Sequence, residues 1–444
     1  MAHQKKIQDY NAWYSFLRHY VDLALKLSYR TVRYVGYDKI PQDGAVIYAP
    51  NHTNALMDAL VILAMDRKPK VFVARADIFR KPILAKIFTF MRIMPIMRLR
   101  DGVDEVKKNY ETIERAVDVL RDKVPFCIFP EGQHQAKYSS LPLSKGIFRI
   151  AFQAQELMPD MPLYIVPVGM RYGNFFRFRS TVRVQVGRPI NVGEFIAEHS
   201  EMTQPEQINA MRELLVERIR EAIFYIPDDE FYEATVEIAA AVSRRQTVAL
   251  RREKQTSRLR GMNAYFEANN RTVARIARIR EEDPERAAAL LRHGNEAARL
   301  RKEAIISLSS VAVRFPVLSR MLKVLLLLVT LPYTLAVSLL ALPVALVSRT
   351  LCSKFKDIAF HNSARYLVHL VLWPLLLILY AVVTYIVLPW QWALPVTLAL
   401  VPAPIVAQET WRLLRLVVSD TRLMRHKQLR HHYRRIRHLF FEKA

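Results

Sequence analysis

Two long stretches without formal charge constrain this chain more than any other feature of its sequence. No Asp, Glu, Lys or Arg occurs between Lys323 and Arg349, and a longer run without these residues lies between Arg365 and Glu409. A helix that crosses the hydrocarbon core of a bilayer needs about 20 apolar residues, and helices in soluble cores rarely reach that length. The chain is therefore predicted to insert into a phospholipid membrane, with residues 311–410 as its membrane region.

The number and direction of the spans stay open at this point. The second run is long enough for two helices, with a turn at residues 389–392 and with Trp390 and Trp392 as interfacial anchors. Basic residues are in excess in the N-terminal half, in the 349–365 connection and beyond residue 411, so the positive-inside rule assigns all three to the cytoplasm. The first run then returns to its own side as a bent re-entrant segment, or three spans form with a basic outer loop.

The net charge of +25, combined with 52% hydrophobic residues, narrows the choice of anionic partner. A basic surplus of this size implies an anionic lipid surface, phosphorylated substrates or nucleic acid. Because the apolar and basic residues are segregated, a membrane is favoured and no nucleic acid is predicted. The polybasic tail, residues 411–444, is predicted to bind anionic headgroups. Cys127 and Cys352 form neither a disulfide framework nor a metal-ligand spacing. No nucleotide-binding glycine pattern or metal-ligand cluster occurs in the sequence, so no bound cofactor or metal is predicted.

Composition divides the rest of the chain into three further regions. Residues 1–29 predict an amphipathic helix, which fits a membrane surface and packing on a neighbouring domain equally well. Residues 30–228 alternate short apolar runs with helical stretches, which predicts an α/β domain. Residues 229–310 are rich in Arg, Glu and Ala and predict charged, solvated helices with a structural role.

The residues that can carry chemistry begin with the sequence APNHTNALMDALVI at 49–62. A short apolar strand delivers His52 into a turn, and Asp58 follows at the start of a run compatible with a helix. A His and an Asp placed across a helix start can meet as a pair, in which the carboxylate fixes the imidazole tautomer and stabilises the protonated ring. Because His and Asp also occur this close together by chance, the pair needs support from other motifs.

Four such motifs follow in order. MPIMRLRDG brings Arg98 and Arg100 onto a loop suited to holding a phosphate. FCIFPEGQHQ ends a buried strand in Glu131 and Gly132, which is typical of an active-site rim. SLPLSKGIFRIAF presents Lys145 at a helix start, another phosphate-binding position, and YIVPVGMRYG indicates a further strand.

Together these motifs resemble the glycerolipid acyltransferases, a family that includes glycerol-3-phosphate and 1-acylglycerol-3-phosphate acyltransferases. The resemblance covers residues 30–225 and implies an acyltransferase domain with a mixed sheet flanked by helices. It rests on four ordered blocks, which are Asn51-His52 through Asp58, Pro95–Asp101, Phe129-Pro130-Glu131-Gly132 and Val166-Pro167-Val168-Gly169.

The resemblance also implies the roles of individual residues. His52 would act as general base on the acceptor hydroxyl, which attacks the thioester of acyl-CoA or acyl carrier protein as co-substrate, and Asp58 would orient His52. No acyl-enzyme forms on this route. A carboxylate and a glycine would shape the acceptor site, and basic side chains would bind its phosphate. The residues implied for substrate binding are Arg98, Arg100, Glu131, Gly132 and Lys145.

One departure from the family pattern bears on the acceptor. The family's usual histidine and aspartate enclose four residues, whereas His52 and Asp58 enclose five, as in a subgroup similar to fungal glycerol-3-phosphate acyltransferases. This favours glycerol-3-phosphate over its 1-acyl derivative, with another lysophospholipid or lipid head group as an alternative. A non-catalytic membrane scaffold is a further alternative, which the retained site residues disfavour. Because no targeting signal is recognised, the prediction is a bacterial inner membrane with a cytoplasmic catalytic domain.

Overall fold

The computed structural model describes residues 6–96, 105–253, 261–313 and 315–442, with the backbone alone for 105–111. The chain divides into two compact units. The first consists of Met1–Ile223 and Thr350–Leu370, and the second of Phe224–Arg349 and Val371–Ala444. A segment from far along the sequence is therefore part of the same unit as the α/β domain.

A mixed sheet forms the centre of the first unit. Its strands are β1 (Tyr29–Val35), β2 (Ala45–Pro50), β3 (Val71–Arg75), β4 (Ile93–Ile96), β5 (Phe126–Cys127), β6 (Leu163–Tyr172), β7 (Ser180–Val186) and β8 (Ile190–Asn191). Their order is β1-β7-β6-β2-β5-β3-β4, with β8 paired to β6. Strands β2 to β6 run parallel to one another, whereas β7 and β8 run antiparallel to β6. The carboxyl ends of the parallel strands therefore meet at one edge, where open α/β sheets bind ligands.

Helices connect and flank these strands, so the predicted α/β fold with a mixed sheet is confirmed. They are α1 (Ala12–Ser28), α2 (Leu56–Leu63), α3 (Pro82–Phe90), α4 (Glu105–Arg121), α5 (Gly146–Leu157), α6 (Val192–Glu198) and α7 (Gln204–Ala222), with 3-10 turns at Tyr37–Lys39 and Ala76–Phe79. Local sequence determines where several of them begin. The Asn11 side chain accepts a hydrogen bond from the N–H of Tyr14 at the start of α1, and Thr203 and Glu206 form a capping box at α7.

The core of the first unit packs α2 against strands β2, β6 and β7. Alternate residues of β6, namely Val166, Val168 and Met170, share one face and are buried in this core. Gly169 lies on the opposite face, where an added Cβ would come 2.2 Å from the carbonyl oxygen of Ala222. The glycine of the Val166–Gly169 block therefore allows the end of α7 to approach the sheet.

Helix α1 has one packed face and one exposed face. The buried Arg18 guanidinium donates hydrogen bonds to the carbonyl oxygens of Leu63 and Asp66, at 2.5 and 2.7 Å, and so anchors α1 to the end of α2. Trp13 and Phe16 are 73% and 67% exposed on the other face. Large exposed aromatic side chains on an amphipathic helix are typical of a membrane-surface contact. One face of the N-terminal helix therefore packs on the neighbouring domain, and contact with a membrane surface stays a prediction for the exposed face.

The remaining helices carry the second half of the chain. They are α8 (Tyr232–Glu253), α9 (Gly261–Glu282), α10 (Pro284–Glu303), α11 (Leu308–Val311), α12 (Pro316–Leu340), α13 (Leu342–Ser353), α14 (Ala359–Val387), α15 (Trp390–Leu400), α16 (Ala403–Arg425) and α17 (Lys427–Phe441). The second apolar run is thus interrupted at Leu388-Pro389, which overlaps the predicted turn only at Pro389, and Trp390 and Trp392 are exposed on α15.

The charged region is less solvated than its composition predicts. Ile238 and Val242 of α8 and Leu290 of α10 are buried in a cluster with Tyr433 and Ile436 of α17. Alanines and aliphatic residues recur at helical spacing among the charges, so each helix keeps one apolar stripe to bury. The apolar face of the C-terminal tail is consequently used in packing within the second unit, and its binding of headgroups stays a prediction for the basic face.

Two helices, α12 and α14, are long and apolar enough to cross a membrane. The bent pair α15–α16 adds a third candidate span if the two helices cross together as one span. Leu325, Leu328 and Val329 of α12 are exposed by more than half, which suits contact with lipid. The ammonium of Lys323 on α12 lies 2.6 Å from the buried carboxylate of Asp420 on α16. This ion pair ties the first apolar helix to the last within the second unit.

Candidate active site

The site lies at the carboxyl edge of the parallel strands. Strand β2 ends at Pro50, and α2 begins at Leu56 after a short turn that holds His52. The buried Asn51 side chain fixes the start of this turn, because it accepts from the N–H of Met170 at 2.6 Å and donates to the carbonyl of the same residue at 3.2 Å. The end of β2 is thereby locked to its neighbour β6.

His52 and Asp58 form a closed pair at this edge. The Nδ1 atom of His52 lies 2.8 Å from Oδ2 of Asp58, and the carboxylate is fully buried while the imidazole stays 17% exposed. The N–H groups of Thr53 and Asn54 also donate to Oδ2, at 2.7 and 2.6 Å. Three nitrogen atoms therefore converge on one oxygen, which fixes the position of the carboxylate against the imidazole.

A local backbone distortion accommodates the longer His–Asp spacing. Ala55, just before α2, has φ +46° and ψ −127°, a conformation that residues with a Cβ rarely adopt. The turn gains room for the fifth intervening residue at this point, and Asp58 still enters α2 on the side that faces His52. The strain thus lies next to the candidate site, where such backbone outliers often occur.

Tyr172 is a partner of Asp58 that the sequence analysis did not identify. Its hydroxyl donates to Oδ1 of Asp58 at 2.6 Å, from the carboxyl end of β6. Burial, and then the charge of Asp58, raise the pKa of Tyr172 well above its usual value, so the hydroxyl keeps its proton. The position follows the Val166–Gly169 block on the strand next to β2, and only the strand order reveals this proximity.

Glu131 and Gly132 lie in the turn after β5. The backbone N–H of His52 donates to Oε2 of Glu131 at 3.2 Å, so the second carboxylate belongs to the same site. Burial raises the pKa of Glu131 to about 8, against the N–H groups of His52 and Leu141, which lower it. The carboxyl is therefore mostly neutral at pH 7. Gly132 has φ +63° with open space around it, as a tight turn at a site rim requires.

Two rings from the Phe129–Gln135 segment enclose the imidazole of His52. The ring of Phe129 stacks on it at 4.2 Å between centroids, and the ring of His134 lies edge-on at 5.4 Å. The N–H of Gln135 donates to the carbonyl of His52 at 3.1 Å. The turn after β5 and the turn after β2 therefore hold one another, which orients the candidate base.

The remaining candidates are not all joined to this centre. Lys145 is the exposed N-cap residue of α5, and within the described ranges its side chain makes no hydrogen bond to His52, Asp58 or Glu131. Arg98 and Arg100 lie outside the described residues.

The chemistry of the site points to a general base. Burial raises the pKa of the Cys127 thiol, which lies in the core and not at the site, so it is unsuited as a nucleophile. Among the residues that the structure describes, no group of three His, Cys, Asp or Glu side chains is arranged to hold a metal ion. The exposed imidazole with its buried carboxylate can accept a proton from an alcohol.

The part of the chain that contains this site is similar in sequence to known proteins. Residues 31–171 match the family model for Acyltransferase. "Glycerol-3-phosphate O-acyltransferase 2" of Saccharomyces cerevisiae is 30% identical over 32% of this chain and 19% of its own length. "Glycerol-3-phosphate O-acyltransferase 1" of the same yeast is 37% identical over 20% of this chain and 12% of its own. A coconut "1-acyl-sn-glycerol-3-phosphate acyltransferase" is 25% identical over 38% of this chain and 51% of its own.

The chain thus spans between 12% and 51% of the length of these curated relatives. The matched region contains the dyad, the Glu131 turn and most of β6. The predicted resemblance is confirmed at the level of the family. Residues 31–171 therefore carry an acyltransferase domain, and the relatives similar to it are named as glycerolipid acyltransferases.

Proposed function

We propose that this chain is a membrane-bound O-acyltransferase that moves a fatty acyl group from acyl-CoA or acyl carrier protein to glycerol-3-phosphate. The observation that carries the proposal is the buried Asp58 carboxylate at 2.8 Å from the partly exposed imidazole of His52. A carboxylate that accepts from Nδ1–H leaves Nε2 of the ring as the basic atom, which is the arrangement that deprotonates an alcohol.

The reaction then proceeds in two proton transfers. Nε2 of His52 takes the proton of the acceptor hydroxyl as its oxygen attacks the thioester carbonyl. The tetrahedral intermediate collapses, the C–S bond breaks, and the thiolate of the carrier leaves with the proton that His52 has held. Asp58 stabilises the imidazolium between these steps, and the Tyr172 hydroxyl and the two N–H groups keep Asp58 in place. The balance needs no acyl-enzyme and no further reactant.

The acceptor site is assigned to the groups around this pair. Glu131, mostly neutral at pH 7, lines the site without repelling an anionic acceptor. Lys145, from the exposed start of α5, is proposed to contact the acceptor phosphate, together with Arg98 and Arg100.

The acceptor is proposed from the spacing of the dyad and from the relatives. Five residues between His52 and Asp58 favour the subgroup similar to fungal glycerol-3-phosphate acyltransferases. The two yeast relatives named for glycerol-3-phosphate are more identical to this chain, at 30% and 37%, than the coconut relative named for the 1-acyl acceptor, at 25%. The 1-acyl derivative is the second candidate, and another lysophospholipid or lipid head group is the third.

The membrane assignment is part of the same proposal. Helices α12 and α14 anchor the enzyme, with the catalytic domain on the cytoplasmic side because of the basic residues near the apolar helices. The bacterial inner membrane stays a prediction of the sequence.

Acyl transfer from radiolabelled donors tests this function in membranes that contain the full-length protein. The assay supplies acyl-CoA or acyl carrier protein with glycerol-3-phosphate, its 1-acyl derivative or other lysophospholipids. We expect the highest kcat/KM with glycerol-3-phosphate and a loss of about 10²–10⁴-fold in His52→Ala. Incorporation equal to that of empty membranes would support the scaffold alternative, and a preference for the 1-acyl acceptor would correct the substrate.

A further inference from the structure

The segment Thr350–Leu370, which comprises the end of α13, the connection and the first turns of α14, belongs to the catalytic unit although it lies far along the sequence. Tyr366 is buried in the core of the first unit, and its hydroxyl donates to the carbonyl of Val21 at 3.0 Å. Arg365 donates to the carbonyl of Phe176 at 3.2 Å. Residues 350–370 therefore complete the acyltransferase domain from a part of the chain that sequence places between two apolar helices.

Two side chains of this segment reach the surroundings of the dyad. Nδ2 of Asn362 donates to Oδ1 of Asn54 at 3.3 Å, and the N–H of Asn54 is one of the donors to Asp58. Oδ2 of Asp357 lies 2.7 Å from Nε2 of His134, the residue whose ring stands edge-on to that of His52.

The His134–Asp357 pair is held from both sides. The N–H of Ala359, at the start of α14, donates to Oδ1 of Asp357 at 2.9 Å, and the ring of Phe360 meets that of His134 at 5.1 Å, nearly perpendicular. Partial burial raises the pKa of Asp357, but the hydrogen bonds from Ala359 and His134 outweigh it, and the pKa of this carboxyl lies below its usual range. A charged carboxylate on Nε2 fixes both the orientation and the proton position of the His134 ring.

We propose that Asp357 is a positioning residue for acyl transfer. It holds the His134 imidazole beside His52, where His134 forms a polar wall of the acceptor pocket. The inference rests on the proposed function and extends the site to the segment between the apolar helices. It differs from a simple docking contact, because Arg365 and Tyr366 already dock the segment through the backbone carbonyls of Phe176 and Val21, without a contact to His134.

Kinetics of full-length variants in membranes test this role, with glycerol-3-phosphate as the varied acceptor. Asp357→Ala is expected to lower kcat/KM by about tenfold, since a misplaced pocket group costs one to two orders of magnitude. Asp357→Glu, which keeps a carboxylate, is expected to recover part of the loss. The double variant Asp357→Ala with His134→Ala is expected to have the same kcat/KM as His134→Ala alone, because both changes remove the same His134–Asp357 interaction.

Arg365→Ala serves as the matched control. It removes a docking hydrogen bond of the same segment without touching His134, so its kcat/KM is expected to stay within about twofold of the wild type. Equal losses in Asp357→Ala and Arg365→Ala, or additive losses with His134→Ala, would overturn the positioning role. Unchanged kcat/KM in Asp357→Ala would overturn it as well.

A cross-link separates failure of this inference from failure of the proposed function. Full-length protein with His134→Cys and Asp357→Cys is treated with a short bis-methanethiosulfonate reagent, and tryptic peptides are mapped by mass spectrometry against the two single variants. The link is expected to join the two peptides only in the double variant. If the wild type is active but the double variant forms no link, the inference alone is overturned. If the link forms but the wild type acylates no acceptor, the proposed function is overturned, and with it the positioning role.

Discussion

The molecule contains two His–Asp pairs that differ in how the chain brings them together. His52 and Asp58 are six positions apart in one turn, whereas His134 and Asp357 are 223 positions apart. The carboxylate is fully buried in the first pair and half-exposed in the second. Burial and the surrounding donors fit the first pair for a change of charge during a reaction, while the second pair is fitted to hold a ring in place.

The difference shows what a local and a long-range pair each demand of the fold. The first needs only the end of a strand, a turn and a helix start, together with a strained residue at Ala55. The second requires the segment 350–370 to return to the α/β domain after an intervening run of helices. Loss of the first pair should therefore remove the chemistry, and loss of the second should weaken it.

The largest effect is expected from the carboxylate of the first pair. Asp58→Asn keeps the size of the side chain and an oxygen that can accept from the N–H groups of Thr53 and Asn54, but it removes the charge that stabilises the imidazolium. We expect kcat to fall on the order of 10³–10⁴-fold, with KM for the acceptor little changed. Single-turnover transfer of radiolabelled acyl groups measures this loss. If kcat falls no further in Asp58→Asn than in Asp357→Ala, the two pairs do not differ in their importance for the reaction.

A smaller effect is expected when Asp58 loses its phenolic partner. Tyr172→Phe removes the 2.6 Å hydrogen bond to Oδ1 while it keeps the buried ring. A hydrogen bond to a charged group contributes about 1.5–3 kcal/mol, so kcat should fall by roughly ten- to a hundredfold. Tyr34→Phe, which removes a phenolic hydrogen bond to the carbonyl of Val61 in the same core and none to Asp58, is the matched control. An equal loss in both variants would assign the effect to packing.

The neutral carboxyl next to the first pair predicts a pH dependence of stability. The folded-state pKa of Glu131, about 8, lies above the usual value of an unfolded glutamate, so the folded state binds more protons between these two pKa values. The stability that Glu131 contributes is thus fully present below about pH 4 and is lost as the pH rises through 8. We expect Tm in detergent to decline over this window, and Glu131→Gln, which mimics the neutral form, to flatten the decline. Parallel curves for both proteins would contradict the assignment.

The smallest effect is expected at the turn that admits the longer spacing. Ala55→Gly relieves a backbone conformation that disfavours a Cβ, so the free energy of unfolding should rise by about 1 kcal/mol and kcat should stay unchanged. Thermal denaturation in detergent measures the change. A clear loss of stability would mean that the buried methyl group contributes more than the strain costs.

Sequence alone predicted what depends on local pattern. Strand ends, turns and a helix start bring His52, Asp58 and Glu131 to one edge, and their motifs lie within short stretches of chain. It did not predict Tyr172, because that residue meets Asp58 only through the β2–β6 pairing. Nor did it predict a role for Asp357 at the site, since a charged residue between two apolar runs is expected to lie at the membrane boundary.

The charged region was misjudged for a related physical reason. Its helices carry so many Arg and Glu residues that average composition hides the apolar stripe around Ile238 and Leu290. The partners of that stripe, on α17, lie more than a hundred positions away. Periodicity within a helix indicates that a face is buried, but not what covers it.

The rate of acyl transfer in His52→Ala, measured beside wild type and Asp357→Ala in the same membranes, tests the central claim most directly. The account predicts a loss of about 10²–10⁴-fold in kcat for His52→Ala, with protein level and acceptor KM preserved, and a loss nearer tenfold for Asp357→Ala. Transfer at the wild-type rate in His52→Ala would show that another group removes the acceptor proton, and the role assigned to the His52–Asp58 pair would be wrong.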